Sequence, residues 1–136
     1  MARKSLPVCV KETMRPVELI HTPAGETVLD MGQEFAGIFT LKVNVPAGTE
    51  IVVQTGDILQ QDNFYNDNLR SAKSEYRYIS GGKPVTIRPR FTYYGYRYVK
   101  IQGIGDLRPE DFTGLVLYSD IEDVGDLETG NALVNK

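Results

Sequence analysis

Acidic side chains are the residues of this 136-residue sequence that could most readily do chemistry. Asp30, Asp57, Asp62, Asp67 and Glu75 lie in or beside short polar segments. Glycoside hydrolysis uses two carboxyl groups held at a defined separation, and one of them needs a raised pKa. Nothing in the sequence arranges such a pair or buries one of its members, so the acids predict no catalytic site.

Other reactive or metal-binding side chains are few. His21 is the only histidine, Cys9 is the only cysteine, and no G-x-S-x-G motif is present. A lone cysteine excludes an internal disulfide and a cysteine-based metal site. The Asp and Asn residues of segment 62–68 offer oxygen ligands for Ca²⁺, but they lack the spacing and the final Glu of an EF-hand loop. We therefore expect no metal or cofactor in this chain.

The stretch "RPRFTYYGYRYVKIQGI", residues 88–104, interleaves aromatic rings with arginines. Rings can stack on sugars or bases and guanidinium groups can reach their oxygens, so the stretch could bind a ligand. The same residue types are also common in an ordinary β-strand. Both interpretations stay open from composition alone.

Strict alternation along this stretch separates two faces of a strand. Val99 and Ile101 mark the side that faces the core. The opposite, outward side would carry a stripe of three tyrosines, which are Tyr94, Tyr96 and Tyr98. Such a stripe suits a sugar or a neighbouring protein surface, whereas a β-bulge at Gly95 would return some of the rings to the core.

Short β-branched and aromatic runs between closely spaced turn signals account for most of the remaining sequence. They predict an all-β chain, folded as an antiparallel β-sandwich of jelly-roll-like type. Residues 75–89 read as a hairpin, residues 112–121 as the last strand, and the polar residues 60–73 as a long loop. The predicted core comprises Phe39, Leu41, Val43, Val53, Ile87, Phe91, Val99, Ile101, Leu115 and Leu117.

Composition and charge narrow the possible partners. Fifteen Lys and Arg against eighteen Asp and Glu give a formal net charge of −3, which argues against a nucleic-acid partner. The N-terminal residues "MARKSLPVCVKE" become charged before a signal-peptide core could form. We expect a soluble chain with no membrane partner and no signal peptide, whose compartment is open.

Four motifs in order resemble one known family: "DMGQEFAG" at 30–37, "PAGT" at 46–49, "NLRSAK" at 68–73 and "RFTYYGYRYVKI" at 90–101. Together they resemble the bacterial α-L-rhamnosidases, specifically the concanavalin-like β-sandwich domain that precedes the catalytic (α/α) barrel. The resemblance implies a lead-in at 1–15 and an accessory domain at 16–124. Residues 125–136 would then be the first residues of the barrel.

The resemblance also implies a role. In this family the barrel supplies the acid and the base of an inverting glycosidase, so this chain alone would be inactive and would support the barrel of the same polypeptide. Interfaces favour Tyr and Arg. The implied contact residues are Arg70, Tyr94, Tyr96, Arg97 and Tyr98. Alternatively, the same tyrosines could stack on rhamnose-containing glycans in a carbohydrate-binding module, although the lack of Trp favours the supporting role. A self-contained hydrolase is a weaker third possibility.

Overall fold

The computed structural model describes residues 6–122 and 124–135, so residues 1–5 of the predicted lead-in, residue 123, and residue 136 of the tail lie outside the described residues. Its regular structure is ten strands and two single 3₁₀ turns, Asp67–Leu69 and Pro109–Asp111. No described helix is long and apolar enough to cross a membrane. The strands are β1 (Val8–Met14), β2 (Glu18–His21), β3 (Thr27–Val43), β4 (Glu50–Gly56), β5 (Ile58–Gln60), β6 (Asn63–Tyr65), β7 (Glu75–Ile79), β8 (Val85–Ile87), β9 (Tyr94–Gln102) and β10 (Phe112–Ser119).

Eight strands form one curled antiparallel sheet in the order β1-β10-β3-β9-β4-β7, and β2 and β8 also pair with β3. The 17-residue β3 pairs with β2 and β9 through its first residues and with β10 and β8 through its last ones. Strands β5 and β6 form a separate two-stranded ribbon. The predicted all-β antiparallel sandwich is confirmed.

Phe39 of β3 lies at the centre of the core. Its ring centroid is 5.2 Å from that of Phe112 and 5.8 Å from that of Tyr76, which it meets edge-on. Offset and edge-on ring pairs of this kind stabilise beyond the area they bury. Seven predicted core residues are confirmed as buried: Phe39, Leu41, Val43, Val53, Ile87, Val99 and Ile101.

Three core predictions are wrong. Phe91 is fully exposed, because it precedes β9 instead of lying within it. Leu115 and Leu117 are only half-buried, because Phe112 and Val116 set the inward face of β10. Since side chains alternate along a strand, the odd-numbered leucines then lie on the opposite face.

The hairpin predicted for residues 75–89 is also wrong, because β7 pairs with β4 and β8 pairs with β3. The chain changes direction at Ser80, whose hydroxyl donates to the carbonyl of Val45 at 2.9 Å. The Ser80 amide donates to the carbonyl of Thr49 at 2.9 Å. This buried serine joins the end of β7 to the turn before β4, so the next strand starts elsewhere in the sheet.

Candidate functional site

An irregularity between β3 and β9 determines where the predicted site residues point. Asp30 pairs with Tyr98 and Phe35 pairs with Tyr96, so residues 31–34 of β3 lie opposite the single residue Arg97. Gly32 within this segment has φ of 82°, which glycine adopts without steric cost. Because of these extra residues, the alternation of inward-facing and outward-facing side chains along β9 is interrupted between the two halves of the strand.

The three tyrosines therefore do not share an outward face, and that prediction is wrong. Tyr96 is completely buried, and its hydroxyl donates to the carbonyl of Ile38 at 3.1 Å. Burial raises the pKa of Tyr96 well above its ordinary value. Tyr94 is half-buried against the core, with its ring 6.3 Å from and stacked on that of Phe39, and burial raises its pKa too. Tyr98 is half-buried on the part of β9 beyond the irregularity.

A bulge at Gly95 is not the cause of this change of face. Gly95 pairs in register with Ala36, and the pairing is interrupted only after Tyr96. The sequence therefore indicated correctly that alternation could fail in β9, but it placed the failure on the wrong residue and in the wrong strand.

Arg97 forms a two-pronged ion pair with Asp30. Its Nε and Nη2 donate to the two carboxylate oxygens at 2.9 Å each, and the Gly32 amide donates to Asp30 Oδ1 at 2.7 Å. The guanidinium also lies 5.0 Å from the centroid of the Tyr98 ring. The hydrogen bond from Arg97 holds the pKa of Asp30 below its ordinary value, despite the opposing effect of burial. Arg97 thus braces the irregular segment of β3, while 39% of its side chain stays exposed.

Arg70 is exposed and follows the 3₁₀ turn Asp67–Leu69. Its φ is 59°, and its amide donates to the carbonyl of Asp67 at 3.2 Å. Within residues 6–122 and 124–135, its guanidinium has no hydrogen-bond or ion-pair partner. The structure therefore separates Arg70 from Arg97, which the sequence had grouped as equivalent candidates.

A cleft of about 430 Å³ lies between this turn and the start of β9. Asp57 on its wall accepts a hydrogen bond from the Asn68 amide group at 3.2 Å. Tyr94 is the one predicted site residue that lines it. The complete lining is Glu34, Asp57, Leu69, Ala72, Lys73, Ser74, Thr92, Tyr93, Tyr94 and Gly95.

The loop 88–93 beside this cleft carries two exposed aromatic residues, Phe91 and Tyr93, and the first of them was wrongly predicted to lie in the core. Phe91 is 106% exposed and Tyr93 is 71% exposed, while Ile87 and Pro89 anchor the loop by being buried. The signal that could have identified the loop is Pro89, since proline is rare inside a paired strand. Phe91 should therefore have been placed before the strand.

The β5–β6 ribbon occupies part of residues 60–73, which the sequence predicted to be a loop without strands; that prediction is wrong for β6. Glu26 anchors the ribbon to the sheet. Its Oε2 accepts from the Phe64 amide at 3.0 Å and from the Thr22 hydroxyl at 3.1 Å, and its Oε1 accepts from Lys100 at 3.2 Å. The Lys100 ammonium also lies 4.9 Å from the centroid of the Phe64 ring.

Acid should release this ribbon. Burial raises the pKa of Glu26, but the hydrogen bonds from Phe64, Lys100 and Thr22 outweigh it and lower the pKa below 4.5. A carboxyl with a lowered folded pKa contributes stability above its unfolded pKa and loses it as the pH falls through the folded value. We expect the Phe64 amide to lose its protection from exchange below about pH 4. The free energy that holds the ribbon on the sheet should fall by about 1 kcal/mol. Protection of Phe64 that persists at pH 2 would contradict this, and Glu26→Gln should abolish the pH dependence.

The enclosed carboxylates do not have the properties of a glycosidase acid. Such an acid needs a raised pKa, whereas the pKa values of Asp30 and Glu26 are lowered by their partners. Within residues 6–122 and 124–135, no three His, Cys, Asp or Glu side chains come together as metal ligands would. The site, as the described residues show it, is a surface of aromatic, arginine and cleft residues.

Comparison with known proteins agrees with this geometry. The family model of the bacterial alpha-L-rhamnosidase concanavalin-like domain matches residues 20–118. An alpha-L-rhamnosidase of Streptomyces avermitilis is 32% identical over 133 residues, which cover 96% of this chain and 13% of that protein. The chain thus spans roughly one seventh of the length of such relatives.

Solved structures give the same result. The alpha-L-rhamnosidase of Aspergillus terreus superimposes with a TM-score of 0.88 at 28% identity, over 96% of this chain and 16% of that one. That of Dictyoglumus thermophilum has a TM-score of 0.88 at 31% identity, over 96% of this chain and 15% of that one. The resemblance noted in the sequence is confirmed, and this chain belongs to the bacterial α-L-rhamnosidase family, as its concanavalin-like domain.

Proposed function

We propose that this chain is the non-catalytic β-sandwich domain of an α-L-rhamnosidase and packs on the catalytic barrel of the same polypeptide. The observation that carries the proposal is the match in fold and sequence to a small part of much longer rhamnosidases. On this proposal residues 16–124 are the accessory domain, preceded by a lead-in at 1–15 and followed by the first residues of the barrel at 125–136. Strand β1 of the lead-in already pairs with β10 of the domain.

The direction of the carboxyl pKa values supports a role without catalysis. An inverting glycosidase holds a protonated acid and a base about 6.5 to 9.5 Å apart across the sugar. Asp30 and Glu26 are held ionised by Arg97 and Lys100, so neither can supply the proton. The resemblance implies that both catalytic carboxyl groups belong to the barrel.

The surface that would meet the barrel includes the exposed parts of the predicted site. Arg70, Tyr94, Arg97 and Tyr98 remain candidates, since each retains an exposed or half-exposed side chain. Tyr96 is no longer a candidate for this contact, because a fully buried ring cannot contact another domain. Tyr94 lines the cleft and Arg70 follows the 3₁₀ turn beside it. Arg97 and Tyr98 lie beside the bulged segment of β3.

The tail adds apolar surface to this proposed contact. Asn135 Oδ1 accepts from the Thr129 amide at 2.9 Å and from its hydroxyl at 2.7 Å, and Asn131 Oδ1 accepts from the Leu133 amide at 3.0 Å. A side-chain oxygen that accepts from the amide two residues ahead is typical of a helix N-cap. Four large apolar side chains at the end of the domain and in the tail are exposed, namely Val124, Leu127, Leu133 and Val134.

The experiment that tests this function is hydrolysis of an aryl α-L-rhamnoside by the purified 136-residue chain. We expect no turnover, and we expect calorimetry to find L-rhamnose binding no tighter than about millimolar, worth only about 4 kcal/mol. Turnover that survives repurification and disappears in Asp57→Asn or Asp67→Asn would overturn the proposal in favour of a self-contained hydrolase. Micromolar binding of rhamnosides would instead favour a carbohydrate-binding module.

A further inference from the structure

The loop 88–93 holds a bulky aromatic side chain in an unfavourable backbone conformation. No burial of that side chain within the described residues offsets the strain. Phe91 has φ of 59°, in the left-handed region that residues with a side chain avoid. Its ring is fully exposed, so it gains no burial in return. Strained residues of this kind persist where the surrounding structure fixes them, and they concentrate at functional sites.

The rest of the loop holds this residue in place and defines the chemistry around it. Ile87 and Pro89 are buried before Phe91, and Tyr94 packs against the core after it. Tyr93, also exposed, extends the aromatic surface. The loop therefore projects an apolar tip from a firmly anchored base.

Two arginines flank the tip. Arg88 and Arg90 are exposed, and within the described residues neither guanidinium has a carboxylate or hydrogen-bond partner. Arginine and aromatic residues are the side chains most enriched among those that dominate binding energy at interfaces. A surface that receives this loop would match it with an apolar socket and acidic groups at its rim.

We propose that the 88–93 loop inserts Phe91 into a carboxylate-rimmed apolar socket on the remainder of the rhamnosidase polypeptide. The occupant follows from the relatives, in which six sevenths or so of the chain lies outside this domain. The loop borders the 430 Å³ cleft whose lining includes the candidate Tyr94, so the two form one continuous surface. This inference rests on the proposed function, because it names the residues that would make the domain contact.

Two substitutions distinguish the effect of the Phe91 ring from the effect of the backbone strain. Phe91→Ala removes the ring and keeps the strain, whereas Phe91→Gly removes both. In the 136-residue chain we expect Phe91→Ala to leave Tm unchanged and Phe91→Gly to leave it unchanged or raise it by up to about 3 °C. A lower Tm in both variants would mean that the ring packs on its own domain, in the neighbouring cleft beside Ile38 and Tyr78, and would overturn the proposal.

The full-length polypeptide gives the decisive comparison, with thermolysin cleavage of residues 124–135 as the measure of domain separation. We expect both Phe91 variants, and Arg88→Glu combined with Arg90→Glu, to be cleaved about tenfold faster than the wild type. Val8→Ala, which trims an exposed apolar side chain of β1, should leave the rate unchanged.

The outcomes distinguish this inference from the proposed function. If the wild-type polypeptide is cleaved as fast as the 136-residue chain, the domain does not dock at all and the proposed function fails. If the wild type is protected and the Phe91 variants are protected equally, the domain docks through another surface and this inference alone is wrong. Self-association of the 136-residue chain that is abolished by Phe91→Ala would replace the barrel by a second copy as the occupant and would also overturn it.

Discussion

Replacing Val99 by Asp is expected to unfold the domain. Val99 is 0% exposed and lies in β9 between Leu29 of β3 and Thr55 of β4, at the middle of the sheet. An unpaired carboxylate at that position costs at least several kcal/mol, because it would be buried in the apolar core. Total stabilities of domains are about 5 to 15 kcal/mol.

Circular dichroism and a thermal melt measure this effect directly. The Val99→Asp variant should lose its β-sheet spectrum and its cooperative transition at 25 °C. Val8→Asp is the matched control, because it places the same charge on an exposed side chain of an edge strand and should change Tm little. A folded Val99→Asp variant with a Tm close to that of the wild type would show that the core lies elsewhere.

Replacing Gly37 by Ala is expected to produce the second largest loss. Gly37 ends the "DMGQEFAG" motif and pairs with Val116 of β10. A Cβ atom built on Gly37 would lie 2.2 Å from the carbonyl oxygen of Leu115, so β3 and β10 would have to separate. We expect a loss of about 3 kcal/mol, or roughly 10 °C in Tm.

Gly95 provides the control, because a Cβ atom there would have no other atom within 4 Å. Gly95→Ala should be neutral or slightly stabilising, as for glycine in an unstrained strand position. Equal effects of the two substitutions on the thermal melt would refute the packing explanation. The expected difference also explains why one motif ends in glycine: the two backbones approach too closely for any side chain.

The alternation of residues along β3 was enough to identify Phe39, Leu41 and Val43 as core. The same rule failed in β9, because the cause lies in another strand: residues 31–34 of β3 bulge opposite Arg97. A bulge formed between two strands distant in sequence cannot be located from the periodicity of either strand alone. Strand β9 was therefore predictable from the sequence, but the face of it on which Tyr96 lies was not.

The candidate site was predictable in its residue types and less so in its contacts. Arg97 was expected to contact a sugar or a neighbouring domain, but its partner within the chain, Asp30, lies 67 positions away in the sequence. Such a pair cannot be inferred until the strands that carry it are aligned. Phe91 was misplaced for a local reason. The alternation of β9 was extended back to Phe91, whereas the neighbouring Pro89 indicates a loop there.

The strands with which β7 and β8 pair were likewise not predictable from the sequence. Residues 80–84 contain the glycines and proline of a turn, and a hairpin is the simplest prediction for them. The bonds from Ser80 to Val45 and Thr49 direct the chain elsewhere, and these bonds are long-range. Turn composition locates a change of direction without saying which strand follows it in the sheet.

Amide hydrogen exchange, compared between the 136-residue chain and the full-length polypeptide, tests the central claim most directly. In the chain alone we expect residues 60–73 and 124–135 to exchange fastest, apart from the amides paired within the β5–β6 ribbon and the Phe64 amide bound by Glu26. In the full-length protein these segments and residues 88–93 should become protected, while β3 and β9 stay as slow as before. Exchange that is identical in the two proteins would contradict a domain that docks on the barrel through this surface.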